Sequence, residues 1–104
     1  MERIGFVMKL LGGHEDEYRR RHHEIWPEMI AELKAAGAHN YSIFLRGDDL
    51  FGYLEVEDFA RLRRHMEGSA INARWQSEMA GLIDPLTDPA TGFHNRLDEV
   101  FHLD

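Results

Sequence analysis

Strand, helix, two strands, helices and a closing strand follow one another along 104 residues, an order that predicts an α+β sandwich of the ferredoxin-like kind. Three observations carry this prediction. Apolar residues alternate in the segments read as strands. They recur at about one helical turn in the segments between. Glycines stand at the junctions.

Ile4 to Leu10 reads as the first strand, ended by the turn pair Gly12-Gly13. From His14 to Ala36 the pattern turns helical, with Trp26, Met29, Ile30 and Leu33 on one stripe. Pro27 interrupts that segment and the stripe continues after it, so a kink or short break is expected with helix on both sides. Gly37 stands where a helix C-terminus calls for a left-handed residue. Tyr41, Ile43 and Leu45 then alternate with Asn40, Ser42 and Phe44, and Gly47-Asp48-Asp49 turns the chain into Leu50 to Val56. Phe59, Leu62 and Met66 mark a short helix stopped by Gly68, and Ile71, Trp75, Met79 and Leu82 mark another. Residues 84–95, with Pro85 and Pro89, read as a long loop, and Asp98 to Leu103 as the last strand.

The length suits a single domain over residues 1–104, with no repeat or linker to divide it. Helices on one sheet face leave the other face to be covered, and a second copy of the same sheet is the simplest cover, so a homodimer is expected. Twelve Lys and Arg against nineteen Asp and Glu give a net charge of -7, which argues against nucleic-acid or anionic-membrane partners. The N-terminus has an acid at position 2 and no long apolar core, so it is not read as a signal peptide; no apolar stretch approaches a membrane span, and a cytoplasmic protein is expected. The absence of cysteine removes disulfides, cysteine zinc sites and thiol nucleophiles.

The first helix is the most informative segment for function. Taking the stripe from Trp26 to Leu33 as the inward face, His22 lies within roughly 30–40° of its centre, and Tyr18 one turn earlier lies on the same side. The first half of the segment thus points polar groups where its second half points apolar ones. Such a switch marks either a helix overhanging the sheet edge in water or one wall of a polar pocket. Trp26, Trp75 and Tyr41 read on spacing alone as packing residues. The seven histidines contain no His-Glu-x-x-His, and His22-His23 point to different sides of a helix, so neither metal nor cofactor is expected. No Gly-rich phosphate loop and no Gly-x-Ser-x-Gly elbow occurs. The remaining apparatus is histidine with tyrosines and tryptophans, which suits proton shuttling on a neutral, polyhydroxylated ligand.

Several segments resemble one known family. Phe6-Val7-Met8, Glu17-Tyr18-Arg19-Arg20-Arg21-His22, Ile25-Trp26-Pro27-Glu28, Gly37-Ala38-His39-Asn40-Tyr41 and Glu99-Val100-Phe101-His102-Leu103 are similar to L-rhamnose mutarotases, over essentially the whole chain. The resemblance implies a dimeric α/β barrel of two ferredoxin-like subunits that interconverts the anomers of L-rhamnose. By the family pattern His22 matches the acid/base histidine, Tyr18 and Tyr41 match sugar-contacting tyrosines, and Trp75 matches the first of a Trp-Trp pair that also contacts sugar. The chain departs from the pattern at Gln76, where an amide stands in place of the second tryptophan, and in the loop Asp84 to Ala90. Both departures bear on the choice of sugar, so L-fucose or another aldose stays open beside L-rhamnose. A dimeric sugar-binding module without catalysis is the non-enzymatic alternative. Cofactor-free or haem-linked monooxygenases, which share the expected fold, are the third.

Overall fold

The computed structural model describes residues 1–84, 87–88 and 93–104. Strand β1 (Glu2–Leu10) leads into helices α1 (Glu15–His23) and α2 (Pro27–Ala35), then strands β2 (His39–Arg46) and β3 (Asp49–Val56). Helices α3 (Phe59–Glu67) and α4 (Ala70–Met79) follow, then three short strands, β4 (Ile83–Asp84), β5 (Thr87–Asp88) and β6 (Phe93–Leu97). The sheet runs β2-β3-β1-β6-β5, with β4 also on β1, and these pairings are antiparallel. β1 lies between β3 and β6 although β2 follows it in sequence. This is the ferredoxin-like topology predicted.

The helix boundaries follow from local chemistry. Pro27 sits at the first turn of α2, where its missing N–H costs nothing, and Trp26 before it is extended (φ −62°, ψ 135°). The segment therefore breaks into two helices rather than bending through one. α2 ends at Gly37, whose φ of +98° carries a Schellman closure: the Ala38 amide donates to the Leu33 carbonyl and the Gly37 amide to the Lys34 carbonyl, both at 3.0 Å. Asp58 and Ser69 cap α3 and α4, accepting from the Arg61 and Asn72 amides at 3.2 and 3.0 Å.

Strand alternation separates the two sheet faces. Ile4, Phe6, Met8 and Leu10 of β1 and Leu50, Leu54 and Val56 of β3 are buried under the helices. Each such side chain contributes about 1.5–3 kcal/mol on leaving water. Phe6 and Gly52 are register partners, and the Phe6 ring lies over the glycine. On the outer face Phe44, Phe51, Val7 and Asn95 form one cross-strand row, and Phe44 is 63% exposed.

β2 contains a bulge. His39 pairs with Glu55 and Ser42 with Tyr53, so three residue steps on β2 match two on β3. The inward set is fixed from the hairpin end: Leu45 opposite Leu50 and Ile43 opposite Gly52 turn Ile43, Leu45 and, by alternation, Tyr41 to the helices, while the extra residue shifts the register of His39. Asn40 occupies the bulge at φ +50°, which asparagine tolerates better than most residues, and its Nδ2 donates to Glu55 Oε1 at 2.8 Å.

Two expectations at the C-terminal end are corrected. The segment 84–95 is not one long loop, because Thr87–Asp88 pairs with β6 and β6 itself starts at Phe93; the rest of that expectation falls on residues outside those described. The last strand is Phe93–Leu97, not Asp98 to Leu103. The apolar side chains of Val100, Phe101 and Leu103 gave the false signal. Pairing follows the free edge of β1 instead, where Leu97, Arg96 and Asn95 meet Gly5, Phe6 and Val7. Leu97 shares the outer face with Gly5, while Arg96 stacks over Phe59 at 4.9 Å on the helix side. Residues 98–104 leave the sheet, held near β1 by a two-pronged ion pair between Arg3 and Glu99 (2.8 and 2.9 Å).

Candidate active site

A cavity of about 670 Å³ lies between the helix layer and the end of the sheet formed by β2 and β3, within the usual size range of small-molecule sites. Its floor is apolar: Ile43, Leu45, Leu50 and Leu54 from the sheet, with Met29 and Leu33 from α2 above them. Its polar wall comes from α1 and α4, through Tyr18, His22, Asn72 and Gln76, with Tyr41 entering from β2. The change from polar to apolar along residues 14–36 is therefore the wall of a pocket. Tyr18, at 6% exposed, does not overhang into water. Ile30 of the apolar stripe is 39% exposed and lines this cavity, so that stripe faces the cavity as well as the core.

His22 is fixed from three sides. Its Nδ1 lies 3.0 Å from the Tyr18 carbonyl oxygen, which can only accept, so Nδ1 carries the proton. The Tyr18 ring stacks on the imidazole with centroids 4.2 Å apart, and Trp75 meets it edge to face at 5.5 Å. With Nδ1 committed, Nε2 is the nitrogen left to accept a proton in the neutral ring. Burial lowers the His22 pKa from its ordinary value of 6.5, partly opposed by the bond to the Tyr18 carbonyl, so the neutral form prevails at pH 7. Burial raises the phenols of Tyr18 and Tyr41 well above their ordinary range, and Tyr18 adds to the effect on Tyr41. Both tyrosines therefore remain hydroxyl donors.

Helix α4 holds this arrangement against α1. Trp75 packs edge to face on Trp26 at 5.2 Å, and the Arg74 guanidinium lies 5.4 Å from the Trp26 ring. Arg21 spans the two helices, bonding Glu17 at 2.7 Å on its own helix and both the side chain and the carbonyl of Glu78 at 2.9 Å on α4. His22 follows Arg21 directly, so the clamp sets the register of the imidazole against Trp75. Phe6 reaches the opposite wall, its ring meeting Tyr41 edge to face at 6.0 Å.

All five residues expected at the site, Tyr18, His22, Tyr41, Trp75 and Gln76, line this one cavity. Their contributions differ. Trp75 is buried between Trp26 and His22, so the packing role read from spacing also describes it, while Gln76 stands exposed at the rim. Asn72 was not anticipated. Its place one turn before Gln76 on the face of Trp75 was the available signal, and a lone asparagine near a helix start reads first as part of a cap.

Comparison with known proteins agrees with this geometry. The family model described as L-rhamnose mutarotase matches residues 3–103. The L-rhamnose mutarotase of Oceanobacillus iheyensis is 46% identical, and that of Bacillus subtilis 42%, each alignment covering all of both chains. The one from Listeria monocytogenes is 44% identical over 99% of each. Among solved structures, L-rhamnose mutarotase from Formosa agariphila superposes with a TM-score of 0.82 at 30% identity, again over the whole of both chains. A match that covers the helix bearing Tyr18 and His22, the strand bearing Tyr41 and the helix bearing Trp75 places the chain in the L-rhamnose mutarotase family.

Proposed function

We propose that the protein interconverts the α and β anomers of L-rhamnose by general acid–base ring opening, with His22 as the group that moves the proton. The observation that carries this reading is the single tautomer imposed on His22: Nδ1–H tied to the Tyr18 carbonyl, and Nε2 left basic in a cavity of sugar size. In the forward step Nε2 takes the proton of the anomeric hydroxyl. The C1–O1 bond becomes the aldehyde carbonyl as the C1–O5 bond breaks, and the ring oxygen takes up a proton. Both oxygens were bonded to C1, so one imidazole can remove the proton from the first and deliver it to the second. Rotation about C1–C2 and reclosure on the other carbonyl face reverse these transfers and give the other anomer. Protons, charge and electrons balance within His22 and the sugar.

Tyr18 and Tyr41 keep their protons under this scheme. They act as hydrogen-bond donors to oxygen atoms on which negative charge develops, and Tyr41 is the one held by the β2 bulge. The apolar floor suits the C–H side of a deoxy sugar ring. General acid–base assistance is worth about 10²–10⁴-fold, ample for a reaction that already proceeds in water.

We take the active form to be a homodimer, supported by the apolar row Phe44, Phe51 and Val7 on the outer sheet face and by the exposed Val100, Phe101 and Leu103 of the tail. A second copy supplies a matching row across a twofold axis. The cytoplasm is the compartment proposed, as suits a sugar-metabolising enzyme family.

The test is NMR saturation transfer between the anomeric protons of L-rhamnose, with L-fucose alongside, under conditions where spontaneous exchange is too slow to register. Catalytic amounts of protein are expected to enhance transfer for L-rhamnose, and a folded His22→Ala variant to lose at least about 100-fold of that enhancement. Enhancement confined to L-fucose would move the substrate and keep the mechanism. No enhancement with either sugar, or full activity in His22→Ala, would overturn the reading.

A further inference from the structure

We propose that Asn72 is a positioning residue that fixes the Gln76 carboxamide so that its oxygen, not its nitrogen, is presented at the cavity rim as a hydrogen-bond acceptor for one sugar hydroxyl. The inference rests on the mutarotase reading and deepens it. Its starting point is a group with no choice of role: the Met66 carbonyl oxygen can only accept. Asn72 Nδ2 lies 3.2 Å from it and must be the donor, which turns Asn72 Oδ1 the other way. Oδ1 in turn can only accept, and Gln76 Nε2 donates to it at 3.2 Å. The Gln76 amide group is thereby oriented at second hand from the end of α3, and its Oε1 takes no donor from any described residue.

The two amides sit one turn apart on α4, on the face that carries Trp75, and both line the cavity. Asn72 is itself anchored, since its backbone amide bonds the Ser69 cap at 3.0 Å. The hydroxyl donors on the other walls, Tyr18 and Tyr41, contrast with two fixed acceptors, His22 Nε2 and Gln76 Oε1. The first accepts the proton that reacts. The second does not titrate, so it can hold a non-reacting hydroxyl in both anomers and in the open chain. A site that accepts a hydrogen bond from a substrate hydroxyl discriminates against the analogue without it.

The experiment crosses substrate with variant. Anomer exchange is measured for L-rhamnose and for its 2-, 3- and 4-deoxy analogues, each normalised to its spontaneous rate, with wild type, Gln76→Leu, Asn72→Ala and Asn72→Asp. With wild type, one of the three analogues is expected to lose roughly 3–10-fold in kcat/KM, the factor one neutral hydrogen bond supplies. With Gln76→Leu that penalty disappears, because L-rhamnose itself falls by the same factor, mainly through KM. Asn72→Ala releases the Gln76 amide and behaves partly like Gln76→Leu. Asn72→Asp keeps an acceptor for Gln76 Nε2 while losing the donor to the Met66 carbonyl, so it should retain more of the wild-type preference than Asn72→Ala, which a merely structural role for Asn72 would not produce. Equal penalties for all three analogues in wild type and Gln76→Leu, with L-rhamnose still exchanged, would overturn this proposal and leave the mutarotase reading standing. No exchange of any sugar by wild type would overturn both.

Discussion

Adding one methyl group at Gly52 should disturb the core and the site together. A Cβ built on Gly52 lies 2.2, 2.4 and 2.7 Å from Cζ, Cε2 and Cε1 of Phe6, where ordinary carbon contacts begin near about 3.5 Å. The Phe6 ring would have to withdraw by roughly 1 Å or more, and it is fully buried, with no solvent to move into. Overpacking of this kind costs about 1–3 kcal/mol. For a domain near 100 residues each kcal/mol lowers Tm by about 4–8 °C, so Gly52→Ala should melt roughly 5–20 °C below wild type. The ring also meets Tyr41 edge to face, so its withdrawal should weaken anomer exchange at temperatures where the variant is still folded. Combining Gly52→Ala with Phe6→Leu removes the ring atoms that the new methyl meets. Urea denaturation of the two single variants and the double should show a favourable coupling of about 1 kcal/mol or more. Additivity within about 0.5 kcal/mol, or a Gly52→Ala variant as stable as wild type, would refute the argument that this glycine exists to seat the Phe6 ring.

Three further outcomes are expected. Because burial lowers the His22 pKa from its ordinary value of 6.5 and the neutral ring is the proposed base, the acid limb of enzymatic kcat/KM should be centred below pH 6.5; an acid limb centred above 6.5 would contradict the buried, neutral imidazole. Asn40→Gly should retain activity, since glycine adopts φ +50° freely, whereas Asn40→Val should lose about 1–2 kcal/mol of stability and misdirect Tyr41, raising KM; equal activity and stability in both would show that the bulge does not set Tyr41. Phe44→Asp places a charge on the exposed outer row and should convert the proposed dimer to monomers in light scattering, without unfolding the subunit; a wild type and variant of the same mass would refute a dimer contact through this row.

The fold was legible where one physical signal ruled each segment. Pro27 cannot sit within a continuous helix, Gly37 supplies the left-handed residue of a closure, and the apolar set of β1 falls on every second residue, so these elements lie where the sequence places them. The C-terminal end obeyed a different rule. Asn95 and Arg96 lack the composition of a strand, yet they take the edge of β1 that the chain must satisfy, and Phe101 and Leu103, which have the composition, lie outside the sheet. Strand propensity there was overridden by the pairing available.

The gathering of the candidate residues at one cavity was legible for a reason that also marks its limit. Tyr18 and His22 are four residues apart on one helix, so helical geometry alone brings their rings together, and the observed centroid separation of 4.2 Å depends on nothing distant in sequence. Tyr41 and Trp75 required more. Tyr41 faces the cavity because the hairpin sets Leu45 opposite the buried Leu50 and that face runs back along β2 to Tyr41, whereas alternation in the sequence does not say which of two alternating sets faces inward. Trp75 meets His22 through the packing of α4 on α1, where Trp75 lies against Trp26 and Arg21 bonds Glu78, fifty-seven residues away. The group proposed to move the proton is thus encoded locally, and the groups proposed to hold it and the sugar are encoded by tertiary contacts. Substitutions at Asn40, Gly52, Asn72 and Arg21, none of which moves the proton, should therefore alter the reaction through KM and stability, while those at His22 alter the chemical step itself.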